Sequence, residues 1–280
     1  MNIFITGISG FIGSALHTKL LSQKEDHWVV YGSSRTLENK YIFKVDLSDP
    51  ASVKSLLSRC DLENVRFDCI IHCANVLANS DNSRSINLFE NNIAITKNLL
   101  DIAIDHKVIN FIHLSTIGVY PNTDGVYDEL SITRPSSNAE GLYSLAKLTS
   151  ENLFDFYLLS LGIIVTNLRL SQVYGKGMRE DRIMKIMEAE MFANKKITVW
   201  GNGERVSNFV SIDRVLSAIY YFVKSPLPGL FNVGGENISY FKLAEKVISM
   251  NQQQKIKIVR LEKGVKSKVY VNSDKLDNLI

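Results

Sequence analysis

Along the first 170 positions, short apolar runs alternate with longer stretches of helical period. The runs 2–6, 28–31, 41–45, 69–72, 110–114 and 164–169 are strand-like, and between them lie helical stretches at 14–23, 51–58, 88–105 and 143–160. Strands that are apolar on both faces and separated by helices predict a parallel sheet covered on both sides, so the fold class is α/β with a doubly wound sheet. Beyond residue 170 the order loosens to a helix over 182–193, a strand at 198–200, a strand and helix across 208–223, a strand at 231–233 and a helix at 240–250. The pattern predicts a larger unit, residues 1–170, that takes back a segment near 208–224, and a smaller one, residues 171–280.

With 280 residues, 45% hydrophobic and 22% charged, the composition is that of a globular chain. The 32 basic and 29 acidic side chains give a net +3, too near balance to suggest a nucleic-acid partner. The excess is local, because nine Lys and Arg face four Asp and Glu from Phe241 onward. That surplus reads either as a solvated basic surface or as a rim that attracts a phosphorylated small molecule. The three cysteines, Cys60, Cys69 and Cys73, form neither a C-x-x-C pair nor a disulfide pattern, and the five histidines lack ligand spacing, so no metal is expected. A secretion signal and an apolar run of spanning length are both lacking, so the expectation is a cytoplasmic protein without a membrane partner.

The first strand runs into Gly7, Gly10, Phe11, Ile12 and Gly13, with glycines spaced G-x-x-G-x-x-G ahead of a helix. Glycines in a strand–turn–helix let a backbone turn tightly and a pyrophosphate approach the helix N-terminus, which predicts a dinucleotide cofactor. At the end of the second strand an acid would accept from a free ribose 2′-hydroxyl, whereas here stand Ser33, Ser34 and Arg35. Two hydroxyls and a guanidinium suit a 2′-phosphate, so NADP is favoured, with NAD possible and an Arg35 that merely points to solvent as the alternative. Asp46, followed by Leu47, either accepts from an adenine amine or caps a helix.

Tyr143 and Lys147 stand four apart and therefore on one face of a helix. A neighbouring ammonium lowers a phenol pKa toward the range useful for acid–base catalysis. Tyr220 and Lys224 repeat the spacing, but only Tyr143 follows a strand that ends in Ser115 and Thr116, whose hydroxyls would sit at the carboxyl edge of the sheet.

The glycine loop, Asp46-Leu47, the 70–74 strand, the 115–120 segment, Tyr143/Lys147 and the 168–175 segment resemble the extended short-chain dehydrogenase/reductase family, and more narrowly its NAD-dependent epimerase/dehydratase group acting on nucleotide sugars. The likeness continues through 201–203, 209–213 and 231–235. It implies a Rossmann-type sheet with a small C-terminal substrate-binding domain and a homodimer. It further implies that Tyr143 is the acid–base, that Lys147 holds the nicotinamide ribose, that Thr116 bonds the reacting sugar oxygen, and that Ala74, Asn92 and Ser115 lie by the cofactor. Val76, Gln172, Arg205 and Ser207 join Thr116 as candidate substrate contacts. Relatives that dehydrate the sugar carry Asp-Glu after the threonine, where this chain has Ile117-Gly118. What remains is chemistry needing only Tyr, Thr and nicotinamide. The expected function is an NADPH-dependent 4-ketoreductase of a nucleotide-activated deoxysugar, with a 4-epimerase holding NAD as the alternative. A reductase of a non-nucleotide ketone and a non-catalytic NADP sensor stand behind them. Gln172 and Ser207 replace the usual Asn and Arg of nucleotide-binding relatives, which leaves Arg205 to supply the charge.

Overall fold

The structure, a computed structural model, describes residues 1–23, 26–136 and 138–280. The first half contains β1 (Asn2–Thr6), α1 (Phe11–Ser22), β2 (Val29–Ser34), β3 (Ile42–Lys44), α2 (Pro50–Leu62), β4 (Cys69–His72), α3 (Ile86–His106), β5 (Asn110–Thr116), β6 (Gly125–Tyr127), α4 (Gly141–Leu158) and β7 (Ile164–Leu170). There follow β8 (Gln172–Tyr174), α5 (Ile183–Asn194), β9 (Lys196–Trp200), β10 (Val206–Ser211), α6 (Ile212–Lys224), β11 (Gly229–Val233), β12 (Glu236–Ser239), α7 (Tyr240–Met250), β13 (Lys257–Leu261), β14 (Val269–Val271) and α8 (Asp274–Asp277).

Seven strands, in the order β3-β2-β1-β4-β5-β7-β11, form one parallel sheet. The order reverses between β1 and β4, the switch point at which doubly wound sheets bind ligands. Because successive side chains of a strand point to opposite faces, Ile3 and Ile5 pack with Leu16 and Leu20 of α1 and with α6, while Phe4 packs on the other face with Phe67 and α2. The same alternation sends Ile112 and Leu114 toward α6, and Phe111 toward Phe154 of α4. Burial on both faces is why these strands read as unbroken apolar runs.

Two features of the smaller unit differ from the sequence expectation. Gly229–Val233 joins the large sheet, pairing in parallel with β7. The 208–224 segment divides: α6 packs on the large sheet, while β10 lies in a separate three-stranded sheet, β12-β10-β8. A third core gathers Met184, Met187 and Met191 of α5 with Ile197, Phe209 and Leu243. β6 pairs with β14, tying residues 125–127 to the end of the chain. Three-residue strands such as β6, β8 and β14 are too short to show a period, so only their partners define them.

The helix starts are also physical. α2 begins with Pro50 behind Asp49, whose carboxylate accepts from Ala51 N (3.0 Å) and Ser52 N (3.2 Å). Asp49 is thus the cap, and the cap reading of Asp46 is set aside. α4 is anchored to the sheet by an ion pair buried on both sides, Arg169 Nη2 to Glu151 Oε2 at 2.7 Å, with Arg169 Nε on Glu151 Oε1 at 3.0 Å. Arg169 Nη1 also donates to the Tyr120 hydroxyl (3.0 Å), which donates to Asn232 Oδ1 on β11 (2.8 Å). Every charge in this cluster has a partner, which is the condition for tolerating it in a dry interior.

Glu151→Ala is expected to cost about 3–5 kcal/mol in denaturant unfolding, because Arg169 is left buried and unpaired. Glu151→Leu/Arg169→Met should recover part of that loss. Equal destabilisation by the single and double variants would show that the pair itself, rather than the orphaned charge, carries the energy.

Candidate active site

One cleft of about 660 Å³ runs along the carboxyl edge of the large sheet and under the smaller unit, a size within the usual range of ligand sites. Gly7, Gly10, Phe11, Ile12 and Gly13 line its floor. Gly7 has φ +67°, and a Cβ there would stand 2.8 Å from Ala74 Cα, while one on Gly13 would stand 2.3 Å from Gly7 O. Only bare backbone fits this crossing of β1, α1 and the β4 end. No side chain caps α1, whose first N–H groups remain available to an anion. These observations fit a dinucleotide pyrophosphate.

The β4 end is fixed from below by Thr6, whose hydroxyl oxygen accepts from Cys73 N and Ala74 N (3.1 Å each) and lies 2.9 Å from His72 Nδ1. With the oxygen accepting twice, its proton goes to His72 Nδ1. Asn92 is corrected to a supporting role: it is buried, its Oδ1 accepts from Val76 N and its Nδ2 donates to Val76 O (2.9 Å each). It clamps the loop whose Ala74 and Val76 face the cleft, and its neighbour Asn91 takes the lining position.

At the ribose end the two serines are already engaged. Ser33 Oγ accepts from Gly7 N (3.3 Å), and Ser34 Oγ accepts from Thr36 N (3.2 Å) and Leu37 N (3.1 Å) while lying 3.2 Å from Ser9 Oγ. Both are buried and brace the turn as acceptors, yet both line the cleft, where the Ser33 O–H stays free to donate, and Arg35 is exposed on the rim. Opposite it, the hydroxyl and N–H of Ser48 hold the Asp46 carboxyl below its ordinary range against some desolvation, and Arg35 adds to that effect. Asp46 and Leu47 both line the cleft.

Thr116, Tyr143 and Lys147 come together where β5 meets α4. Thr116 Oγ1 accepts from Gly118 N (3.1 Å), which leaves its O–H free to donate. A Cβ on Gly118 would stand 2.4 Å from Ser144 Oγ, so Ser144 occupies the space that a side chain at 118 would need. Ser115 is corrected as well: on a strand its side chain points opposite to Thr116, and its hydroxyl donates to Glu151 instead of facing the cofactor.

Lys147 is only 2% exposed, donates to Leu114 O and lies 3.4 Å from His113 Nε2, with its Nζ 6.0 Å from the Tyr143 ring centroid. Burial pushes its ammonium down from 10.5 to about 7, against the opposing pull of Cys73 and Glu151. Burial likewise pushes the Tyr143 phenol up, helped by Glu140 and opposed by Arg182. The expected lowering of the phenol by Lys147 is therefore absent from the ligand-free arrangement.

On the substrate side Gln172 Nε2 donates to Ser207 Oγ (3.0 Å), so the two departures from the family pattern form one unit. The Arg205 guanidinium lies 5.1 Å from the Tyr240 ring centroid, and its Nε is buried without a partner among the described residues. All three line the cleft. Sequence reasoning missed Arg182 and Glu140, whose 2.8 Å ion pair joins the start of α5 to the start of α4 beside Tyr143. They are 42 residues apart and carry no local signal. Among the described residues no group of three or more His, Cys, Asp or Glu gathers as a metal site, and no helix is long and apolar enough to cross a membrane.

A parallel sheet with this glycine turn at its switch point and a Thr/Tyr/Lys set beside it defines an enzyme of the short-chain oxidoreductase type. The chain belongs to the NAD dependent epimerase/dehydratase family, whose model matches residues 3–234. It is 29% identical over 271 residues to a dTDP-D-glucose 4,6-dehydratase of Dictyostelium discoideum, covering 89% of this chain but 62% of that protein. Its fold is similar to a UDP-glucose 4-epimerase of Thermotoga maritima solved with UDP-glucose, with a TM-score of 0.84, 22% identity, and 99% and 92% of the two chains covered. A UDP-glucuronic acid 4-epimerase from Bacillus cereus in complex with NAD gives a TM-score of 0.80, 23% identity, and 100% and 92% coverage.

Gly13→Ala should fold yet lose dinucleotide binding by at least about 100-fold in a fluorescence titration, since Gly7 O must move to admit the methyl group. Wild-type affinity would mean that the cofactor lies elsewhere. The sign for Lys147 follows from linkage. Between about 7 and 10.5 the unfolded chain holds a proton that the folded cofactor-free protein lacks, so this group makes stability rise with pH across that window. Lys147→Met should accordingly show its largest stability gain over wild type below pH 7, shrinking toward pH 10. A difference independent of pH would place the ammonium in water.

Proposed function

We propose that the protein interconverts a carbinol and a carbonyl at one carbon of a nucleotide-linked sugar, and that it does so as a 4-epimerase retaining NAD. The observation that carries this reading is that Thr116 and Tyr143 line one cleft with Ile117 and Gly118 beside them, and that Lys147 lies buried one turn along α4 from Tyr143. Neither Ile117 nor Gly118 can serve as acid or base, so elimination across neighbouring carbons has no catalyst at those positions.

A bound nicotinamide dinucleotide supplies the hydride acceptor and donor. The chain's own residues do the rest. Gly7, Gly10 and Gly13 with the uncapped α1 N-terminus bind the pyrophosphate, and Lys147 presents an N–H to the ribose. Tyr143 takes the proton from the sugar hydroxyl as its phenolate while the carbonyl forms, and returns it as the phenol afterwards. Thr116 donates to the same oxygen and fixes its position, a contribution of about 3 kcal/mol by analogy with a single oxyanion donor. Arg205, Gln172 and Ser207 hold the nucleotide half, and the roof formed by α5 excludes water.

NAD is placed first because the similar Bacillus cereus 4-epimerase was solved with NAD. The second reading, an NADPH-dependent 4-ketoreductase, is favoured by the exposed Arg35 and by the absence of an acid at the end of β2. A homodimer through α3 and α4 is proposed alongside, supported by the exposure of Leu145, Phe156 (75%) and Tyr157 on α4.

Native mass spectrometry of the purified protein reads cofactor and subunit number together, and retained NAD in a dimer is expected. An empty protein that binds NADPH over NADH moves the reductase to first place, and a monomer removes the dimer. Tyr143→Phe should lower turnover of a UDP- or dTDP-sugar by at least about 100-fold while leaving cofactor affinity within a few-fold of wild type. Retained turnover would sink the assignment of Tyr143.

A further inference from the structure

Behind Lys147 lies a buried polar chain that the proposed chemistry does not use. His113 is fully buried on β5, and its Nδ1 lies 3.0 Å from Oδ1 of Asn167, its register partner on β7. Asn167 Nδ2 donates to Asp155 Oδ1 at 2.9 Å, on α4 two turns beyond Lys147. These bonds fix one another's direction. The Asn167 amide nitrogen is spent on the carboxylate, so its oxygen must accept from His113 Nδ1–H. A neutral His113 then offers a lone pair at Nε2, 3.4 Å from Lys147 Nζ. Burial first, and the Lys147 charge next, keep His113 well below its ordinary pKa, so it stays in this neutral acceptor form. His72 stacks on its ring at 5.4 Å and Phe154 meets it edge-on at 5.0 Å, which fixes the plane of the imidazole.

We propose that His113, held by Asn167 and Asp155, is a positioning residue for Lys147. It takes one of the three ammonium N–H bonds, Leu114 O takes the second, and the third has no acceptor among the described residues. Glu151, one turn along the same helix, is instead bonded to Arg169 and Ser115. The chain is not a proton wire, since an amide accepting at oxygen and donating at nitrogen has no proton to pass on without changing tautomer. Its effect is to aim Lys147 and to favour its charged form, because a hydrogen bond to the ionised state raises the pKa of a base. The other titratable groups facing Lys147 are His72 and Cys73 from the β4 side and Tyr143 and Glu151 from α4. Burial holds the Cys73 thiol up at about 12 and His72 well below its ordinary value, so neither changes charge near neutrality.

The inference takes from the proposed function only that Lys147 serves the site, and its test needs neither cofactor nor substrate. In cofactor-free protein carrying 15N-lysine, the Lys147 Nζ signal is followed with pH in wild type, His113→Phe and His113→Gln, with thermal unfolding as the check on folding. His113→Phe, which keeps the ring packing but removes the acceptor, should titrate lower than wild type by about one pH unit. His113→Gln, whose amide can accept and donate in the same two directions, should return most of the shift. In the loaded enzyme the alkaline limb of kcat/KM should move with it. If His113→Phe does not fold, Asn167→Leu breaks the chain one bond further back and should shift the titration the same way. An unchanged Lys147 titration in the folded variant overturns the proposal even if the enzyme proves active, and a shifted titration sustains it even if the substrate assignment fails.

Discussion

The site depends on burying one ammonium group. Lys147 lies in the seam between α4 and β5, where water is excluded and an unpaired charge would be prohibitive. Its stem crosses the seam because α4 is pinned there by the Glu151–Arg169 pair one turn further on, and by Phe154 and Leu158 beyond that. The side chains one and two turns along the helix thus set the depth at which Lys147 sits. That depth lowers its proton affinity and directs its N–H groups. Tyr143, one turn before it, is carried by the same geometry to the cleft wall, where desolvation raises the phenol pKa.

The parallel sheet delivers the remaining groups. Because all seven strands run the same way, the loops after β1, β2, β4 and β5 open at one edge, and the reversal of order between β1 and β4 leaves a crevice there. Three elements close on that crevice with almost no spare room, as the positions of a hypothetical Cβ on Gly7 and Gly13 show. The smaller unit then contributes β8, β10 and α5 as a roof, with Arg205 and the Gln172–Ser207 pair facing down.

Much of this was legible in the chain itself. The alternation of apolar runs and helical stretches, the glycine spacing, and the order of Thr116, Tyr143 and Lys147 are local features, and local spacing fixes which side chains share a helix face or a strand edge. The second partners of polar residues near the site were not legible. Ser33, Ser34 and Ser115 line the cleft but also bond a backbone or carboxylate partner, as far away as Gly7 is from Ser33 or Glu151 from Ser115, and Asn92 lies behind the cleft and clamps Val76. A polar side chain near a site satisfies its hydrogen bonds with whatever folding brings within reach, and sequence spacing does not reveal that partner.

The sequence alone thus determined the class of fold, the position of the glycine turn and the order of Thr116, Tyr143 and Lys147, because each rests on periodicity or on spacings of a few residues. Tertiary structure alone decided that Gly229–Val233 completes the large sheet, that the serines brace a turn, that Glu140 and Arg182 meet beside Tyr143, and that Lys147 is dry enough to lose its proton near neutrality. Those outcomes come from desolvation and from contacts between residues far apart in the chain, which exist only once the helices have been pressed against the sheet.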